Sequence, residues 1–166
     1  MREDSSQSIG RWNAAGELTH YFCDTPDGAW AEFIRHEEIR DAQDLLTIRR
    51  ALWAVDIGDP PSDEPGLPRQ TLLGGRETWP ACQQAAQEHR KHVIGIAAPS
   101  AALNPGAASG WRVDGGLRSG PDRDGKVFVL FGRRPDIIGW AATIDGRPDR
   151  ALLPKVRHFQ MQEPDR

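Results

Sequence analysis

The stretch GRWNAAGELTHYFCDTPDGAWAEF, residues 10–33, runs through a loop, a strand and the start of a helix. HYFCD (20–24) has a short apolar centre, which suits a strand. Helix-start chemistry follows at once. Thr25 can cap, Pro26 fits the first helical position, and Asp27 suits the positive end of the helix dipole. Ala29, Trp30, Phe33 and Ile34 then form one apolar stripe at a spacing of three and four. At 100° per residue, Glu32 falls on the side opposite Trp30. A guanidinium in the loop (Arg11), a phenol on the strand (Tyr21) and a carboxylate on the helix (Glu32) are thus within 22 residues of one another. They are either ordinary surface and core groups or walls of one pocket.

Outward from this stretch the chain keeps alternating. DAQDLL (41–46) reads as a further turn of helix and RALWAVDI (50–57) as a strand. GDPPSDEPGLP (58–68) holds neither a helix nor a central strand and reads as a long surface loop. A helix is expected over 78–91 and a buried strand in HVIGIAA (92–98). KVFVLFG (126–132) and DIIGWAATI (136–144) read as strands, paired as a hairpin across GRRPD. A short helix is expected over 150–158. This order implies an α+β domain with a mixed or split sheet rather than a doubly wound one. Residues 1–10 are expected to be a flexible N-terminus, and 11–160 one domain.

Composition excludes several classes. A chain of 166 residues with a net charge of −3 and no long basic run is not built for direct nucleic-acid binding. The apolar runs VFVLF and VIGIAA are far too short to span a bilayer, so no membrane role is expected. MREDSSQSIG is acidic and polar, unlike a signal peptide, and a cytoplasmic location is expected. Cys23 and Cys82 have no zinc-ligand spacing, and His36–Glu37–Glu38 lacks the spacing of a helical metal pair, so no metal site is expected.

Two further positions carry chemistry. Ser100 follows the strand HVIGIAA, where a hydroxyl either closes a turn or meets a ligand at a strand end. APSAA is not the elbow of a serine hydrolase. WRVDGGLRSG (111–120) could approach a diphosphate but matches neither dinucleotide-binding nor P-loop spacing. Its Arg112, like Arg11, has the forked donors that suit a phosphate-bearing ligand, or is simply solvated.

Arg11, Glu32 and Ser100 together resemble the signature of the RES domain family, named for Arg, Glu and Ser. The resemblance rests on GRWN with Gly16, Tyr21, TPDGAWAE (25–32), GIAAPSAAL (95–103) and VFVLF (127–131). It implies an ADP-ribosyltransferase-like fold, a split mixed sheet with flanking helices around a cleft for NAD. It implies cleavage of the nicotinamide–ribose bond with phosphate or water as acceptor, in the manner of an NAD phosphorylase or glycohydrolase. It also implies a toxin of a toxin–antitoxin pair, held by a DNA-binding antitoxin, with a homodimer left open. Glu32, Arg11 and Ser100 would be catalytic. Arg11, Tyr21, Glu32 and Ser100 would bind NAD, with Arg112 a guess for phosphate. Protein ADP-ribosylation and a non-catalytic NAD- or partner-binding module are the alternatives. Trp30, two residues before Glu32, leans against transfer, where an acid often activates the acceptor. Members of the family usually carry a longer segment before the Arg, so one wall of the pocket is expected either to be missing or to be rebuilt by another segment.

Overall fold

The computed structural model describes residues 7–108, 112–113 and 117–160, with the side chains of Arg112, Val113 and Leu117 left aside. Among these residues the order is β1 (Thr19–Cys23), α1 (Pro26–His36), α2 (Ala42–Thr47), β2 (Arg50–Asp56), α3 (Arg69–Leu73), α4 (Trp79–His89), β3 (Gly95–Pro99), β4 (Arg112–Val113), β5 (Leu117–Arg118), β6 (Lys126–Phe131) and β7 (Ile138–Gly146). The α+β class holds. The pairings described are all antiparallel, so three separate antiparallel sheets, β1-β6-β3, β2-β7 and β4-β5, stand where a mixed sheet was expected.

Strand β6 is central because it is apolar on both faces. Val127, Val129, Leu130 and Phe131 are all buried, so a neighbour on each side is needed. It takes β1 on one edge and β3 on the other. The expected hairpin between β6 and β7 does not form. The six residues between them exceed the usual ~2–5 of a hairpin loop. Strand β7 is largely exposed and pairs with β2 instead, across an irregular register near Leu52.

Helix α1 forms as its start signals require. The Thr25 hydroxyl accepts the Gly28 N–H at 3.1 Å, and Pro26 occupies the first position. Its buried face carries Gly28, Trp30, Ala31, Ile34 and Arg35. Trp30, Ala31 and Ile34 pack with Leu45, Ala102, Leu103, Leu152 and Val156 in one core. A second core joins the sheet to α4 through Trp12, Cys82, Ala86, Ile96, Ala98, Val127, Val129 and Phe131.

Two ends differ from expectation. The segment 150–158 is a 3-10 helix, Arg150–Lys155, because Pro154 lacks the N–H that an α-helix would need. Residues 7–10 are tied down rather than frayed: the Gln7 side chain bonds both the N–H and the C=O of Thr19, each at 2.7 Å. Among the described residues no helix is long and apolar enough to cross a membrane.

Thr25→Ala should cost about 1 kcal/mol through the lost cap. Thr25→Ser should keep most of it. Urea midpoints of the two variants at equal slope check this.

Candidate active site

A cleft of about 1330 Å³ opens between β1, α1, the turn at residues 10–13 and the two-stranded β2-β7 sheet. That is larger than the ~300–1,000 Å³ usual for small-ligand sites, so an extended ligand fits it better than a compact one. Arg11, Tyr21 and Glu32 all line it. The three groups from one 22-residue stretch therefore line one cleft.

The turn that carries Arg11 is held by Tyr21. The phenol donates to Asn13 Oδ1 at 2.7 Å and accepts the Trp12 N–H at 3.0 Å. Asn13 is buried and its amide donates to the carbonyls of Ser8 and Ala14, both at 2.9 Å. Gly10 has to be glycine here. A Cβ on it would lie 2.6 Å from Asn13 Oδ1 and 2.8 Å from the Tyr21 hydroxyl. Trp12 anchors the turn in the second core. Burial pushes the Tyr21 pKa up to about 12, against the opposing effect of the Trp12 N–H. The hydroxyl is thus a clamp on its own chain, while the residue as a whole stays 39% exposed and lines the cleft.

Arg11 runs from this turn to the loop between α3 and α4. One terminal nitrogen donates to Thr71 O at 3.2 Å and Thr78 Oγ1 at 3.1 Å, and the other to Gly74 O at 2.6 Å. Glu32 sits on the cleft face of α1, with Oε2 at 3.9 Å from His36 Nε2 one turn on. The His36 ring lies 6.2 Å from Trp79 and 6.3 Å from Phe159, which also line the cleft. Cys23 lines it too, but burial holds its thiol well above the ordinary range, so it is no thiolate nucleophile.

Ser100 is not brought to the cleft surface. Its neighbours Pro99 and Ala101 line the cleft, whereas Ser100 is buried behind them. Its hydroxyl accepts the Leu103 N–H at 3.3 Å and its own N–H donates to Gly125 O at 2.8 Å. It closes the turn after β3, the first of the two readings of this serine. Arg112 lies in β4, paired with Arg118, but its side chain is outside the described residues.

The structure adds Arg35, a helix residue not among the candidates named from the sequence. It is 2% exposed and lines the cleft wall. It donates to Ala101 O and, at 2.8 Å, to the same Gly74 O that Arg11 uses. Its guanidinium stacks 4.4 Å from the centre of the Phe159 ring. Burial, and then the charge of Arg11, lower its pKa to about 10, so it stays charged at neutral pH. A signal was present in the sequence. Gly28 and Ala31 are small residues at the spacing of a closely packed helical face, and Arg35 continues that row.

Among the described residues neither Arg11 nor Arg35 is in an ion pair with a carboxylate, and no ion pair joins Glu32 to either. Two buried donors at the cleft walls, Arg35 Nε and Trp79 Nε1, have no hydrogen-bond partner. Positive charge held by carbonyl and hydroxyl oxygens without an ion-paired carboxylate among the described residues, in a cleft also lined by Glu32 and the Tyr21 ring, suits an anionic ligand with hydroxyl groups and a flat ring.

The family model of the RES domain matches residues 2–113. The chain belongs to the RES domain family, one associated in general with NAD-related toxin function. The match covers Arg11, Tyr21, Glu32, Arg35 and Ser100, while the late strand VFVLF lies beyond it. Neither the curated proteins nor the solved structures contain a match to the chain.

Tyr21 is the sole tyrosine, so its ionisation is directly visible in the near-ultraviolet. The tyrosinate signal should appear with a midpoint at about 12 instead of 10. Because the folded value is raised, the phenol's contribution to stability is complete below pH 10 and is lost as pH rises through about 12. Tyr21→Phe should cost about 1–3 kcal/mol at neutral pH by leaving Asn13 Oδ1 and the Trp12 N–H without this partner. A midpoint near 10 would show the hydroxyl free in solution.

Proposed function

We propose that the cleft binds NAD and cleaves its nicotinamide–ribose bond, with phosphate or water as acceptor. The observation that carries this reading is that Glu32, Tyr21, Arg11 and Arg35 line one large cleft, neither arginine ion-paired to a carboxylate among the described residues. It is supported by membership of the RES domain family.

In the reaction the carbon–nitrogen bond breaks and its electron pair leaves with the nicotinamide ring. Nicotinamide departs as a neutral molecule, so no general acid is needed for it. The ribose carbon becomes cationic and then bonds to an oxygen of phosphate or water. An acceptor that carries a proton releases it to solvent. A carboxylate is the group such a centre needs. Glu32 accepts hydrogen bonds from ribose hydroxyls and offsets the positive charge as it develops. Arg11, its terminal nitrogens held by Thr71, Thr78 and Gly74, lends positive charge to the wall that receives the diphosphate, and the Tyr21 ring offers a stacking surface to nicotinamide or its ribose. Ser100 shapes the wall at Pro99 and Ala101 through its turn. An ADP-ribosyltransferase-like arrangement of the sheets around the cleft belongs to the same reading, as does a DNA-binding antitoxin as partner.

Transfer to a protein is the weaker reading. Trp30, two residues before Glu32, is buried in the first core, so that position presents no acid to activate an acceptor.

Purified protein incubated with NAD should release nicotinamide. Product analysis with and without phosphate identifies the acceptor: ADP-ribose 1-phosphate for phosphate, ADP-ribose for water. Unchanged NAD under both conditions would overturn the reading. Glu32→Gln should lower kcat by roughly two orders of magnitude or more, with KM little changed, because its charge acts on the transition state. An effect confined to KM would reassign Glu32 to binding.

A further inference from the structure

Arg35 is a costly residue to place where it is. A guanidinium that is 2% exposed, with no carboxylate partner among the described residues and an orphaned Nε, is poor economy for stability alone. Its two carbonyl partners do not depend on it. Gly74 O keeps Arg11 at 2.6 Å, and Ala101 O keeps Arg157 at 3.2 Å. What no other side chain shown here supplies is the link itself. Arg35 rises from α1 three residues after Glu32, one turn along the helix. From there it reaches the loop that holds Arg11 and the turn that follows Ser100. One planar fork thus fastens the helix bearing the carboxylate to the two loops that shape the rest of the wall.

We propose, on the footing of the NAD reading above, that Arg35 is a positioning residue of this site: its bonds to Gly74 and Ala101 set Arg11 and the Pro99–Ala101 wall at a fixed distance from Glu32. Arg35 touches the reacting atoms of the substrate nowhere in this scheme. It acts through Arg11, whose fork shares its Gly74 acceptor, and through Glu32, whose helix it anchors. The Phe159 ring stacks against it, its centre 4.4 Å from Arg35 and 4.6 Å from Arg76.

The test compares Arg35→Met, Arg35→Lys and Arg76→Met with the wild type. Melting temperature, KM for NAD and kcat are measured for each. Since both carbonyls keep a donor, Arg35→Met is expected to stay folded. Its KM should rise about tenfold as Arg11 loses its register, and its kcat should fall about tenfold as Glu32 does. A change in KM is not what a mere loss of folded protein produces, because that lowers only the apparent kcat. Arg35→Lys keeps the charge but cannot bridge both carbonyls, so it should recover part of the loss. It also carries the test should the methionine variant not fold. Arg76→Met removes the other cation on Phe159 and should leave KM within about twofold. KM within twofold of wild type in folded Arg35→Met, or an equal rise in Arg76→Met, overturns the role of Arg35 while wild-type turnover leaves the NAD reading standing. A wild type that leaves NAD unconsumed overturns both.

Discussion

A single peptide oxygen, that of Gly74, receives two arginines from different parts of the chain. Arg11 arrives at 2.6 Å and Arg35 at 2.8 Å. A carbonyl has two lone pairs and can hold two donors. It cannot cancel two positive charges. Burial and, after it, the like charge of Arg11 oppose the charged state of Arg35, whose pKa falls to about 10. The fold tolerates this because further dipoles converge on the same place: Thr71 and Thr78 on Arg11, Ala101 on Arg35, and the face of the Phe159 ring. Most of the cleft's architecture can be traced from this point. The loop between α3 and α4, the turn after β3, helix α1 and the C-terminal segment all send a group toward it.

Local chemistry was legible in the chain and long-range pairing was not. Thr25, Pro26 and the stripe at Trp30 and Ile34 name a helix because capping and periodicity act over a few residues. The strands at 19–23, 50–56 and 126–131 were readable for the same reason. Which strand joins which was not. Strands β6 and β7 are consecutive and both apolar, which invites a hairpin, yet only β6 has the two-sided burial of a central strand. That difference is set by partners more than a hundred residues away, such as Tyr21 opposite Val129. Helix α3, only five residues long, left no periodic trace to read.

The site divides along the same line. Arg11, Tyr21 and Glu32 were readable as candidates because they come from one short run of loop, strand and helix. The roles of two groups were not. Tyr21 was read as a ring for stacking, whereas its hydroxyl also secures the turn that holds Arg11. Ser100 was offered two readings, and its bond to the Leu103 N–H belongs to the turn. Arg35 was invisible because arginine on a helix ordinarily lies in solvent. Only the row Gly28, Ala31 and Arg35 hints that this face is pressed against a neighbour.

The two-stranded β2-β7 sheet shares no ladder with β1-β6-β3, although Leu52, Trp53, Ala54, Trp140, Ala142 and Thr143 wall one side of the cleft. Its ladder runs between its own two strands, and Trp53, Ile138, Trp140 and Ile144 remain exposed. The bore of the cavity is therefore independent of the hydrogen-bond network that keeps the central sheet intact. Mutational drift in that ribbon can widen, narrow or reshape the mouth for a different guest without unpicking the floor beneath it.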